Sequence, residues 1–293
     1  LSVFAVKAAI LPLHFWLPET YAQAPAPVAA LFAIMTKVGA YAILRVDTLV
    51  FGPELSATAD ILSGLLLFTA LITLAVGMIG MLGAGSLGRL AAFATLGSVG
   101  TLLAGLALFT PESTVAALYY TIHSTLAGAL LFLVVDMVRE RRGAAGDRLT
   151  EAPRFAAGGL IAALWFAAAI AVAGLPPLSG FLGKLLILDA VRDDPRMWAI
   201  WAVILAGVLF AILGLAQAGS RVFWKTAPTP DAQAPAPGAA PPVALPAAAV
   251  LSLIGGIALL TIFAAPVTGY LTATAAQLYA PDAYISAVLG TAP

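Results

Sequence analysis

Three lysines in this chain stand alone inside long apolar runs: Lys7 in LSVFAVKAAILPL, Lys37 in LFAIMTKVGAYAILRV and Lys184 in LSGFLGKLLIL. A charge at bilayer depth costs about 2.5–3.5 kcal/mol on insertion scales, so such residues face one another, water or a substrate path. A lysine held away from water is also the kind that exchanges its proton during function. Proton or cation movement is therefore the first chemistry to consider. His123, in LYYTIHSTLAGALLFL, adds a side chain that titrates near neutral pH and can pass protons to water or to a lysine. Its plainer reading is a buried histidine bonded to a backbone carbonyl. His14 reads as structural, and Asp136 and Asp189, near the ends of apolar runs, read as interfacial.

Two of the lysines lie beside helix breakers. Lys184 follows GLPPLSGFLG, where Pro176 and Pro177 remove backbone donors and Gly174, Gly180 and Gly183 loosen the chain. A helix interrupted at bilayer depth is tolerated only where protein or a water-filled cavity satisfies the freed groups, and transporters place ion sites at such breaks. The competing reading is a proline kink with Lys184 reaching out to an interface, but LLIL follows the lysine directly. Lys7 precedes Pro12 in VKAAILPLHFWLPE, a second break with a lysine beside it and a hint of internal repetition. Trp16, in that break, reads as an interface anchor. Lys37 lies mid-segment, too deep to reach an interface easily.

The elements that must position these residues are hydrophobic helices. Of 293 residues, 62% are hydrophobic and 10% charged, where soluble domains carry about a quarter charged. The mean hydropathy is +1.03. The expected fold is an all-α polytopic membrane protein of about eight transmembrane helices, two of them discontinuous. Apolar segments cover about 1–17, 28–50, 59–82, 90–109, 114–137, 155–191, 197–224 and 247–271, the sixth carrying GLPPLSG in its middle. After 271 the chain is mildly apolar and suits an interface. Three regions follow: a proton-translocation module over 1–225, an Ala/Pro-rich linker over 226–246, and the last helix with its tail over 247–293. Leu1 already lies in an apolar run without Met or a charged leader, so the chain is expected to be the later part of a longer one.

Basic residues sort by end. With the loop holding Arg139, Arg141, Arg142, Arg148 and Arg154 placed in the cytoplasm, alternation puts Arg89, Arg221 and Lys225 on the same side. Only Arg45, Arg192 and Arg196 fall opposite. Zero formal net charge gives no sign of a nucleic-acid partner. The absence of cysteine excludes disulfides, thiolate metal sites and cysteine-ligated clusters within the chain.

VKAAILPLHFWLPETYAQAPAPVAALFAIMTKVGAYAILRV, the YxxIHSTLAGALLFL stretch and GLPPLSGFLGKLLIL resemble the antiporter-like subunits shared by respiratory complex I and Mrp-type cation/proton antiporters, in wording most like the D-type subunits of Mrp Na+/H+ antiporters. The resemblance implies an inverted-repeat antiporter-like fold, of which this chain would supply the last eight helices of about fourteen. It implies a proton relay through Lys7, Lys37, His123 and Lys184, with helix breaks at Pro12 and at Pro176, Pro177 and Gly180. It further implies other subunits of a membrane antiporter complex as partners, protons and Na+ (or K+ or Li+) as cargo, no metal site or cofactor, and the inner (plasma) membrane of a bacterium. The alternative it leaves open is a proton-pumping membrane-arm subunit of an NADH–quinone oxidoreductase or related hydrogenase, which would make the chain part of a translocase. Two departures stand out. The glutamate that partners the first lysine belongs to an earlier helix of the family, and Gly128 stands where many relatives have a second lysine.

Overall fold

The computed structural model describes residues 1–51, 56–225 and 242–290. Six stretches are long and apolar enough to cross a membrane: Ala26–Val50, Asp60–Leu82, Leu87–Leu106, Pro111–Arg139, Met197–Trp224 and Ala244–Ile262. The remaining apolar segments, the first and the sixth, are each broken in two. The first yields α1 (Ser2–Lys7) and α2 (Trp16–Gln23). It is followed by α3 (Ala26–Val46), α4 (Ser56–Leu82), α5 (Leu87–Leu106) and α6 (Pro111–Arg139). The sixth segment gives α7 (Gly158–Ala173) and α8 (Ser179–Ala190), and α9 (Met197–Gly219) succeeds it. A single wide turn, Ser220–Trp224, closes α9.

The eighth segment departs from its expected form. It divides into α10 (Ala244–Ile262) and α11 (Ala264–Leu278), with α12 (Asp282–Leu289) beyond. Pro266 explains the division: it has no N–H, and its ring would clash with the carbonyl of Ile262 four residues back, where α10 ends. Most of the Ala/Pro-rich linker, 226–241, lies outside the described residues.

The centre of the bundle is α5, whose residues are buried except at Arg89, Phe93 and Ser98. In lipid, helices associate through close packing of small residues rather than through water exclusion. Gly77 of α4 rests directly on the Gly97 backbone, and Gly100 of α5 on that of Leu74, so a methyl group at either position would strike main chain. Around α5 pack α2, α4, α6 and α9, while α6 carries α3, α7, α8, α10 and α11 on its other faces. The start of α6 is well specified: Thr110 and Ser113 exchange side-chain-to-backbone hydrogen bonds of 3.1 Å, with Pro111 as first helical residue.

Charged contacts define two ends. At one, Arg139 reaches Ala22 O and Asp147 at 3.1 Å each, Glu19 pairs with Arg89 at 2.6 Å, and Arg142 donates to the carbonyls of Gly146, Arg148 and Thr150. At the other, Thr114 meets Tyr279 at 3.0 Å, Arg45 lies 4.9 Å from the Tyr284 ring centre, and Arg192 and Asp194 border a cavity with Thr110 and Glu112. The first broken segment therefore runs towards the arginine-rich end and the second runs away from it. Opposite courses for equivalent breaks are the mark of an inverted repeat.

Candidate functional site

At the second break, α7 ends in a glycine stop. Gly174 adopts φ +73°, its N–H bonding Ala171 O at 3.0 Å and Ile170 O at 3.1 Å, and Leu175 N bonding Ile170 O at 3.0 Å. The Pro176–Pro177 peptide that follows is cis, and the chain re-enters a helix at Ser179. The stop leaves the Ala173 carbonyl free of helical partners, and the Lys184 ammonium donates to it at 2.7 Å. A cation at a helix C-terminus is held by the negative end of the dipole as well as by that bond. Lys184 is 5% exposed. Its amine end lies against Gly174, where an added Cβ would come within 3.0 Å of both Cδ and Nζ.

His123, on α6, spans the same break. Its Nδ1 lies 2.8 Å from Ser179 Oγ and its Nε2 3.1 Å from Ala171 O. A carbonyl only accepts, so Nε2 carries a hydrogen and donates. With the ring neutral, Nδ1 then accepts from the Ser179 hydroxyl. With the ring protonated, Nδ1–H donates to the same oxygen, which also accepts. The hydroxyl rotates to suit, so one heavy-atom arrangement serves both protonation states. Gly180 makes the approach possible, since a Cβ there would meet Nε2 at 2.5 Å.

Lys37, 2% exposed on α3, completes the group. Its Nζ has no hydrogen-bond partner among the described residues. It borders an apolar cavity of about 200 Å³ between α3, α5 and α6, walled by Ile34, Tyr41, Leu102, Leu106 and Leu118. Lys184 and Lys37 are the charged side chains whose fields reach His123. Because α3 and α8 both pack on α6, the three residues follow one another across the bundle in the order Lys37, His123, Lys184. A void of about 20 Å³ adjoins His123, lined by Thr95, Ser98, Tyr120, Ser124 and Gly128 among others. That is room for one water among polar groups.

Lys7 does not join them. Expected within the apolar bundle, its side chain is exposed, because the following residues, Ala8 and Ala9, take the buried positions against α3. Only its backbone approaches the site: Gly39, two residues beyond Lys37, packs on the main chain of Lys7 and Ala8. Pro12 does sit in a break, as expected, and the Leu11–Pro12 peptide is cis. Trp16, expected as an interface anchor, is half-buried and donates its indole N–H to Val6 O at 3.0 Å, fastening the break. Ser179 and the carbonyls of Ala171 and Ala173 were not singled out from sequence. The available signal was a hydroxyl placed just after a Pro-Pro pair, at the first residue of a new helix.

Together these features define a class: a polytopic helical membrane protein with buried cationic side chains gathered at an interrupted helix. Residues 1–214 match the family model described as "NADH:quinone oxidoreductase/Mrp antiporter, TM", and the chain belongs to that family. It is 34% identical to a probable K+/H+ antiporter subunit of the D type from Rhizobium meliloti, over 98% of this chain and 57% of that protein. It is also 34% identical to the D-type subunit of a Na+/H+ antiporter from Bacillus subtilis, over 99% of this chain and 57% of that protein. Among solved structures, a chain of the Mrp complex from Dietzia sp. superposes with a TM-score of 0.81 at 25% identity, covering 98% of this chain and 60% of that one. The chain thus spans somewhat more than half the length of the relatives it matches.

Proposed function

We propose that this chain is the proton-relaying part of a membrane subunit in a multisubunit monovalent cation/proton antiporter. Protons move between Lys37, His123 and Lys184 through internal water, each lysine alternating between charged and neutral forms. Lys7, whose side chain is exposed at the first break, takes up protons there and passes them through water to this group. The observation that carries the reading is His123, held by Ser179 and Ala171 in a geometry that fits both of its protonation states, with Lys184 and Lys37 as its charged neighbours. Both lysines act on the histidine between them, and in a medium of low dielectric a charge gained at either disfavours a proton on His123. Gly128 borders the water-sized void and leaves the link at that point to water.

The transported cation is Na+, with K+ and Li+ as variants, and the setting is the inner membrane of a bacterium, multi-pass, among other antiporter subunits. The names of the relatives support this reading. A redox-driven pump would use the same residues, and the family's description spans both. Copurification separates the two: flavin or iron–sulfur subunits bound to the full-length protein would favour the pump, small membrane subunits the antiporter.

The test uses the full-length protein in its complex, in everted vesicles. Lys37→Ala and Lys184→Ala should each lower Na+-dependent proton flux at least tenfold while the complex still assembles. Full flux in both variants would refute the relay, and loss of assembly in both would assign the lysines to scaffolding.

A further inference from the structure

A further cavity lies at the arginine-rich end, away from His123. Its volume is about 540 Å³, and its walls include Arg154, Phe155, Gly158, Phe166, Phe223 and Trp224. It opens between the start of α7 and the turn that closes α9. The aromatic walls are paired, Phe155 with Phe223 at 6.0 Å and Phe166 with Trp224 at 5.2 Å between ring centres. Trp224 is 63% exposed. An amphipathic ring so placed, beside a cluster of arginines, marks the level of the lipid headgroups.

The charge at this cavity is uncompensated. Arg154 is exposed in the wall, and Arg221 and Lys225, also exposed, flank the lining residues Val222 to Trp224 in sequence. None of the three makes an ion pair among the described residues, and neither does nearby Glu151. Other basic groups at this end are engaged: Arg89 with Glu19, Arg139 with Asp147 and Arg142 with loop carbonyls. Leu160, at the level of the cavity on α7, and Leu213 of α9 are also exposed apolar side chains of these two helices.

We propose that this cavity seats the headgroup of an anionic phospholipid, with Arg154 on the phosphate and the aromatic pairs against the glycerol backbone. Basic pockets between transmembrane helices suit such headgroups. The volume far exceeds a phosphate ion and falls in the range of sites for organic ligands. A zwitterionic lipid brings its own ammonium group, which the three cations disfavour, so the site discriminates by net headgroup charge. The lipid bridges the start of α7 to the end of α9, and α7 is the helix whose far end presents the Ala171 and Ala173 carbonyls to His123 and Lys184.

The experiment takes the full-length protein in its assembled complex, loads it with phosphatidylglycerol, and exchanges it against excess phosphatidylcholine. Native mass spectrometry then counts the retained lipid. The wild type should keep a phosphatidylglycerol that inorganic phosphate does not displace. Arg154→Gln should retain about tenfold less, as expected for losing one charge-assisted hydrogen bond, and Arg154→Lys should retain more than the glutamine variant. The double variant Arg221→Gln/Lys225→Gln should weaken retention without touching the cavity wall. Equal retention in wild type and Arg154→Gln, displacement by inorganic phosphate, or a density map showing polypeptide of the complex in the cavity would each overturn the assignment.

Discussion

The two helix breaks share one backbone device and put it to different uses. They superpose in sequence at a constant offset of 165 residues (Pro177 against Pro12), with the peptide before each proline cis. Ala9 and Gly174 both take positive φ, 56° and 73°. Ala9 N bonds Val6 O at 3.0 Å as Gly174 N bonds Ala171 O, and Ile10 N bonds Ala5 O at 3.1 Å as Leu175 N bonds Ile170 O. The carbonyls of Val6 and Ala171, which correspond, each accept one further bond from a ring N–H. For Val6 the donor is the indole of Trp16, from its own segment; for Ala171 it is the imidazole of His123, from another helix. An indole N–H does not titrate in the physiological range, whereas an imidazole does. At the position of Lys184 the first break has Glu19, which leaves the interior and pairs with Arg89. A break alone therefore supplies free carbonyls, and the side chains brought to them decide between a fastening and a proton site.

The sharpest way to break this contrast is to exchange the donors' fates. His123→Ala should reduce proton-coupled transport at least tenfold in everted vesicles, whereas Trp16→Phe should leave transport largely intact. The tryptophan variant should lose only about 0.5–1.5 kcal/mol of stability, the net worth of one hydrogen bond. Equal transport defects in the two variants would erase the distinction. Next in size is the pair of positive-φ residues. Gly174→Ala should destabilise by about 1–2 kcal/mol from backbone strain alone, with crowding of Lys184 in addition. Ala9→Gly relieves the same strain and should be neutral or stabilising by less than about 1 kcal/mol, read from thermal unfolding in detergent.

Ser179→Ala should lower transport about threefold and alter its pH dependence at unchanged assembly, with Ser179→Thr restoring most of it; the magnitude is that of one neutral hydrogen bond. Its counterpart His14, substituted by Ala, should alter no pH profile. The smallest effect belongs to the loop after the second break, which neither break uses. Arg196, bonded to Asp194 at 2.7 and 2.9 Å, holds the Asp194 carboxyl below the usual carboxylate range. A depressed folded-state value contributes stability above about pH 4, lost as pH falls through that lower value. Unfolding scans below pH 4 should therefore show a shallower acid limb in Asp194→Asn, without any change in flux at neutral pH.

Much of this was legible in the sequence because the strongest signals in a membrane chain are energetic exceptions. Lys37, Lys184, the Pro176–Pro177 pair and Gly180 stand out against apolar surroundings whatever the packing. Lys7 stood out equally but lies exposed, since which face of a six-residue helix is buried depends on its neighbours. The bond from Trp16 to Val6 is not legible for a related reason: an indole N–H can donate to many partners, and only the turn at Ala9 brings the Val6 carbonyl within reach. The division of the last segment was written in Pro266, inside an otherwise continuous apolar run. The partnership of His123 with Ser179 joins residues 56 positions apart, which no local pattern encodes.

The void beside Gly128 has a consequence of its own under the proposed relay. With a volume of about 20 Å³ it admits a single water molecule. A relay link that holds one molecule behaves like a turnstile: its throughput follows how often that one place is filled. Gly128, in the wall of the void, also faces α3, where an added Cβ would sit 3.3 Å from the Ala33 methyl. One carbon atom at position 128 would thus tighten the contact between α6 and α3 beside that place, and a single base change in a glycine codon is enough to install it.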